Sequence, residues 1–189
     1  MATAIELMRK RRTIRKFTQE PLPHEALLTC VDCARLSPTS ANLQALKFKV
    51  VETPELCAEV FTTVLWAGYL RPNGTPQEGE RPTAYIVTVQ DTSLRAAAPL
   101  VDMGAAMLSM ILAAEEQGIA TTWIGSVDHE KLHDILKLPE HCKVLEVLAL
   151  GYPAQKAQAV PMQDGDVRYW LEEDGTLSVP KRSLEEILL

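Results

Sequence analysis

The sequence has no uninterrupted apolar run of the ~20 residues that a membrane-spanning helix needs. Its most apolar stretch, Ala96 to Ala114, contains Asp102 and reads as a buried helix. An apolar leader core is also missing: Met1-Ala2-Thr3-Ala4-Ile5-Glu6 turns basic at once, so no secretory leader is expected. Cysteine is scarce. Cys30, Cys33, Cys57 and Cys142 are expected to be free thiols in a reducing, cytoplasmic setting. Positive charge is not in excess, with 19 Lys and Arg against 25 Asp and Glu and a net charge of -6. That balance argues against nucleic acid as a partner, although a local basic cluster could still hold a small anion. Neither G-x-G-x-x-G nor G-x-x-x-x-G-K-[ST] occurs, so dinucleotide-fold and P-loop chemistry lack support. There is no internal repeat, low-complexity tract or linker. The 189 residues are expected to form a single domain, 1–189, large enough to bury a core without disulfides or a structural metal.

The remaining pattern alternates helices and strands. Helices are expected at Ala4–Arg11, at Pro23–Leu36 with apolar positions three and four apart, and from Pro54 to about Tyr69. Strands are expected at Leu46–Glu52, Ala84–Val89, Ile119–Ile124 and Val144–Leu150. Between them, Arg71 to Pro82 is a polar loop rich in Pro and Gly, the best candidate for a mobile segment. The segment Ser93–Gln117 reads as a long helix, apolar nearly all round and dense in Ala and Gly. Such a helix is expected to be buried between a sheet and a second subunit. Asp128 is expected to cap a short helix reaching Leu138, Asp174-Gly175 to turn a hairpin, and Ser183 with Glu186 to form a capping box.

Four segments carry residues suited to a polar ligand. Arg11, Arg12, Thr13 and Arg15 place a hydroxyl inside a run of cations, as a phosphate monoester requires; the competing reading is favourable charge at a helix C-terminus. Ser37-Pro38-Thr39-Ser40-Ala41-Asn42-Leu43-Gln44 is either an ordinary turn or a polar ligand-lining loop leading into a core strand. Lys181-Arg182 stand before a helix N-terminus, where cations are unfavourable, so they either face an anion or form a solvated tail. Ile124-Gly125 at a strand end either makes a turn or lets backbone N–H groups approach a planar ligand.

Taken in order, these segments resemble the nitroreductase family. Arg11-Arg12-Thr13-Ile14-Arg15-Lys16-Phe17 is similar to its R-R-S-I-R-x-F, and Leu36 to Gln44 to its A-P-S-x-x-N-x-Q-P-W segment. Asp102-Met103-Gly104-Ala105-Ala106 and Gln117 to Gly125 resemble its D-x-G-x-A helix and G-L-G-x-x-W-I-G strand. Leu150-Gly151-Tyr152-Pro153 and Lys181 to Ile187 resemble its L-G-Y-P and closing R-x-P-L-E-E-I.

The resemblance implies an α+β fold with a mostly antiparallel central sheet flanked by helices. It also implies an intertwined homodimer with FMN at the interface and NADH or NADPH as reductant. By position, Arg11, Arg12, Thr13 and Arg15 would grip the phosphate and the flavin's polar edge, with Lys181 and Arg182 adding phosphate contacts. Pro38, Thr39, Ser40 and Asn42, in the loop ending at Gln44, would come from the partner subunit. Ile124 and Gly125 would offer backbone N–H groups to flavin N5. No side chain need be catalytic, because the flavin carries the redox chemistry. Nitroaromatics, quinones or related small molecules would be acceptors, in a ping-pong sequence. Reductive dehalogenation, or FMN binding without turnover, would use nearly the same residues. Ala45-Leu46 depart from the family's Pro-Trp and alter the pocket wall, and Trp66 and Tyr69 would shape the substrate side.

Two sharper motifs were weighed against this reading. His129-Glu130-Lys131-Leu132-His133 matches H-E-x-x-H, but it lacks a third ligand at a recognised spacing and reads as a surface helix, so no metal is expected. Cys30-Val31-Asp32-Cys33 lies well inside a helix among apolar neighbours and reads as a pair of buried thiols, not a redox site.

Overall fold

Apolar and β-branched runs at four places in the chain become one antiparallel sheet in the computed structural model, which describes residues 2–71 and 73–189. The strands β1 (Leu46–Val51), β2 (Ala84–Asp91), β3 (Ala120–Ile124) and β4 (Cys142–Gly151) lie in the order β1-β2-β4-β3. All eight residues of β2 are buried, as a central strand covered on both faces requires. One face packs Ile86, Leu148 and Leu150 against α2 (His24–Arg35) and α4 (Leu100–Glu116). The other packs Tyr85, Val87 and Val147 against α3 (Pro54–Phe61) and α5 (His129–Leu136). A bulge where Thr88 pairs Glu146 and Val89 pairs Val144 leaves Leu145 as an extra residue. The extra residue resets the alternation, so Val144 and Val147 face the same layer.

Two expected helices are shorter than their patterns. Pro54–Tyr69 ends at Phe61, because the hydroxyls of Thr62 and Thr63 donate back to the carbonyls of Glu59 and Val60, both at 2.8 Å. Trp66 then packs on Phe61 in the core, and Tyr69 stays exposed against Tyr169. The long helix starts at Leu100, not Ser93. The Gln90 amide donates to the carbonyls of Arg95, Ala96 and Ala97 at 2.7, 3.2 and 3.2 Å and holds those residues in a turn. Pro99, lacking an N–H, precedes the first helical residue. Within the single chain, Val101 and Leu108 on this helix are exposed.

The N-terminal helix α1 (Ala4–Lys10) leads into an extended segment beside β3. Thr13 bridges Thr121, and the Ile14 N–H donates to the Thr121 carbonyl at 3.0 Å. The Phe17 ring, fully buried, fills the space that a side chain at Gly151 would take. Beyond Pro153, β5 (Ala157–Pro161), β6 (Trp170–Leu171) and β7 (Leu177–Lys181) make a second small sheet. The β6–β7 hairpin turns at Asp174-Gly175 as expected, with Gly175 at φ +81°. The parallel pairing of β5 with β7 has no signature in the half-exposed sequence Ala-Gln-Ala-Val-Pro. Ser183 forms its capping box at the start of α6 (Leu184–Ile187). Pro72, inside the loop expected to be mobile, and Met1 lie outside the described residues. The loop's described residues include Glu80, which pairs with Lys16 at 2.8 Å and accepts from the Phe17 N–H at 2.9 Å. Among the described residues, no helix is long and apolar enough to cross a membrane.

A methyl group at Gly151 would lie 2.9 Å from Phe17 Cβ and Cδ1. Gly151→Ala should therefore push the N-terminal segment off the sheet and cost about 1–3 kcal/mol, read as a lowered urea midpoint. An unchanged midpoint would show that the segment is not docked there.

Candidate functional site

The capping box of Thr3 and Glu6 starts α1, and Arg11 closes it through its N–H to the Leu7 carbonyl. Arg11 and Arg12 thus leave the helix side by side, just before the chain docks on β3. The Nη1 of Arg12 donates to the Arg11 carbonyl at 2.5 Å, but its Nε is buried and has no partner among the described residues. Burial and the charge of Arg11 pull the Arg12 guanidinium below its ordinary value, against the opposing pull of Glu115. Among the described residues, neither Arg11 nor Arg12 is in an ion pair, whereas neighbouring Lys10 and Lys16 pair with Glu115 and Glu80. The pair is electrostatically unsatisfied, as an anion-binding site is before its ligand arrives.

Docking on β3 carries this basic run towards Ile124-Gly125. Thr13 is registered on Thr121, and the Thr122 hydroxyl donates to the Ile14 carbonyl. Arg15 takes another course: its backbone N–H meets Gln155, and its guanidinium lies 4.7 Å from the Tyr169 ring centroid. Burial pulls that guanidinium down as well. At the strand end, the half-exposed Trp123 donates its indole N–H to Glu146. A Cβ on Gly125 would meet the Glu146 Oε1 at 3.2 Å, so the position is tight on that side. Glu146 is distant from Gly125 in the sequence. Its role beside Gly125 depends on the bulge in β4, which no local pattern announces.

The loop 37–44 is built differently. Ser37 Oγ lies 2.7 Å from Ser109 Oγ on α4. The N–H and hydroxyl of Ser40 donate to Asp102 Oδ1 at 3.0 and 2.7 Å, and Arg95 Nη1 donates to Asp102 Oδ2 at 3.2 Å. The Asp102 side chain is 2% exposed. Burial pushes its carboxyl up, but the two Ser40 donors and Arg95 outweigh this and hold it below its usual value. Ala41, Asn42 and Gln44 sit at φ +49°, +54° and +51°, left-handed backbone that costs non-glycine residues energy. Thr39 Oγ1 is buried without a partner among the described residues. Three non-glycine residues in left-handed backbone and an unpaired buried hydroxyl thus fall within one loop. Asp102 was legible only as a charge in an apolar run; its role as the loop's anchor follows from the tertiary contact.

The two constellations are not neighbours within the chain. Ser40 is tied to Asp102 in the first turn of α4, and Lys10 to Glu115 near its end. At 1.5 Å rise per residue the two attachment points are about 20 Å apart. Lys181 ends β7 of the small sheet, and Arg182 reaches Glu186 at 3.4 Å.

The competing motifs are occupied otherwise. His129 Nε2 lies 2.9 Å from the Leu145 carbonyl oxygen and His133 Nε2 3.3 Å from that of Pro139, so the rings serve different backbone groups. Cys30 is fully buried, and burial, with Cys33 beside it, raises its thiol to about 12. Both partners of the C-x-x-C are free thiols, Cys33 being half-buried.

Comparison with known proteins places this geometry. The family model described as the nitroreductase family matches residues 8–152. An FMN reductase (NADPH) of Bacillus subtilis is 28% identical over 174 residues, covering 85% of this chain and 70% of the relative. A nitroreductase family protein of Clostridium difficile superposes with a TM-score of 0.71 at 19% identity, covering 100% of this chain and 98% of that one. The NADPH:FMN oxidoreductase of Vibrio harveyi, solved with NAD+, gives a TM-score of 0.67 at 24% identity, covering 87% and 74%. Both structures share the fold.

The anchoring of loop 37–44 is open to a pH test. Because Asp102's folded pKa is depressed, its charge stabilises the fold above the unfolded value near 3.9. That contribution fades as pH falls through the lower folded value. Asp102→Asn should cost about 1–3 kcal/mol at neutral pH, with the gap from wild type closing below about pH 4 in urea melts. A gap that is constant down to pH 3 would contradict the ionised anchor.

Proposed function

The chain belongs to the nitroreductase family, and from that premise we propose that it is an FMN-dependent oxidoreductase passing reducing equivalents from NADH or NADPH to small acceptors such as nitroaromatics and quinones. The observation that carries the cofactor reading is the unsatisfied pair Arg11 and Arg12, with its buried Nε, docked beside the strand that ends in Ile124-Gly125. The donor set fits FMN. Two unpaired guanidinium groups and the Thr13 hydroxyl suit a phosphate monoester dianion, and Lys181 and Arg182 supply further positive charge. Arg15, held on Tyr169, would meet the flavin's polar edge. Backbone N–H groups of Ile124 and Gly125 would donate to the flavin's N5 edge, which favours its reduced form. FMN, when bound, supplies the redox chemistry; the protein binds it, orients it and sets its electrostatics.

The separation along α4 favours a site made from two chains. Pro38, Thr39, Ser40, Asn42 and Gln44 of one chain would then close the site built on the arginines of the other. The surface agrees with this. Val101, Gly104, Ala105 and Leu108 form an open small-and-apolar stripe on α4, and Ile5, Met8, Leu184 and Ile187 are also exposed. Such a surface suits a homodimer interface. Four free thiols fit the reducing cytoplasm.

The purified protein should show flavin absorption bands and release FMN in proportion to protein on denaturation. Arg12→Met should weaken FMN binding roughly 10- to 100-fold, the worth of one charge-assisted contact. With acceptor present, NAD(P)H oxidation should give parallel double-reciprocal lines, since both substrates visit the same space in turn. A colourless protein that also fails to take up added FMN would overturn the proposal.

A further inference from the structure

A cavity of about 280 Å³ lies between α3 and the start of β2, and none of the residues assigned above to FMN lines it. It collects three buried polar atoms that have no partner among the described residues: Arg81 Nε, Thr83 Oγ1 and Tyr85 Oη. Tyr85 is 1% exposed. A buried polar atom left unpaired is costly, so three around one space call for a filler. The Arg81 guanidinium lies 4.3 Å from the Phe61 ring centroid, and among the described residues no carboxylate pairs with it. Cys57 adds a thiol, which burial raises to about 11 and which donates to the Thr83 carbonyl at 3.4 Å. Burial also pushes the Tyr85 phenol up, so the floor presents protonated donors at neutral pH. The mouth has the opposite character: Glu52 and Glu78 line it and are exposed, Glu52 being held 2.8 Å from His24 Nδ1.

We propose that this cavity is a binding site for a compact free α-amino acid with a small aliphatic side chain. Its carboxylate would face Arg81, Thr83 and Tyr85, its ammonium Glu78 and Glu52, and its side chain Phe61 and Pro54. A simple anion would leave its outer end against two carboxylates, and a simple amine would leave the donor floor unsatisfied; a zwitterion answers both. The volume is below the usual range of drug-sized pockets, which fits a metabolite of this size.

The test is calorimetric titration of the purified full-length protein with glycine, L-alanine, L-norvaline and L-leucine, set against butylamine and pentanoate, the two halves of norvaline. L-Norvaline should bind saturably, one per chain, with butylamine, which lacks its carboxylate, and pentanoate, which lacks its amine, each about tenfold weaker or worse. Tyr85→Phe removes a hydroxyl without a partner, so the ligand-free protein should melt no lower than wild type while losing most of its amino-acid affinity. Glu78→Gln should weaken L-norvaline and leave pentanoate unchanged. Absence of saturable binding across the series would mean that the cavity holds only water, and would overturn the proposal. Equal binding of pentanoate and L-norvaline, or undiminished binding to Tyr85→Phe, would overturn it as well.

Discussion

The length of α4 between Asp102 and Glu115 governs how this chain can build a ligand site. A helix is stiff, and its rise per residue allows no shortening. The strained loop 37–44 is fastened at one end through Ser40, and the basic segment lies at the other, where Lys10 holds Glu115. Two surfaces with complementary needs are therefore held apart by the helix that supports both. In the proposed homodimer a second copy, packed through the open stripe of the same helix, would bring opposite ends together without any internal movement.

Each surface is costly alone. Like charges stand together at Arg11 and Arg12, and the buried Nε of Arg12 lacks an acceptor. Three non-glycine residues of the loop hold left-handed backbone. The surrounding structure fixes these features through ordinary means: a strand-like bridge at Thr13, a buried carboxylate at Asp102, and hydroxyl contacts from Ser37 to α4. In the proposed site, strain and unpaired charge stored in this way would leave little to reorganise on binding a phosphate and a planar ring system.

The sheet was legible because its strands are buried and rich in β-branched residues, and all four were placed within two residues at either end. The caps at Asp128 and Ser183 and the turn at Asp174-Gly175 were legible because their chemistry is local. Two helix ends were misplaced where a side chain decided the matter: Gln90 holds the turn before α4, and the threonines after Phe61 cap α3. The candidate segments were readable as types of residue, since cations, hydroxyls and glycine advertise what they bind. Their anchors, Asp102 and Glu146, were not, because each acts through partners more than 20 residues away. Nor could the sequence show that Arg81, Thr83 and Tyr85 leave polar atoms unpaired around one cavity, which depends on how α3 packs over β2.

The division of one site between two chains is tested most directly by subunit mixing. One chain would carry Arg12→Met and a second, differently tagged chain would carry Thr39→Val with Ser40→Ala, and FMN would be counted in homodimers and in isolated heterodimers. A shared site predicts little FMN in either homodimer and one FMN per heterodimer, since one of its two sites draws both intact halves from different chains. A site built within a single chain predicts a heterodimer as depleted as its parents, and that result would contradict the arrangement derived from α4.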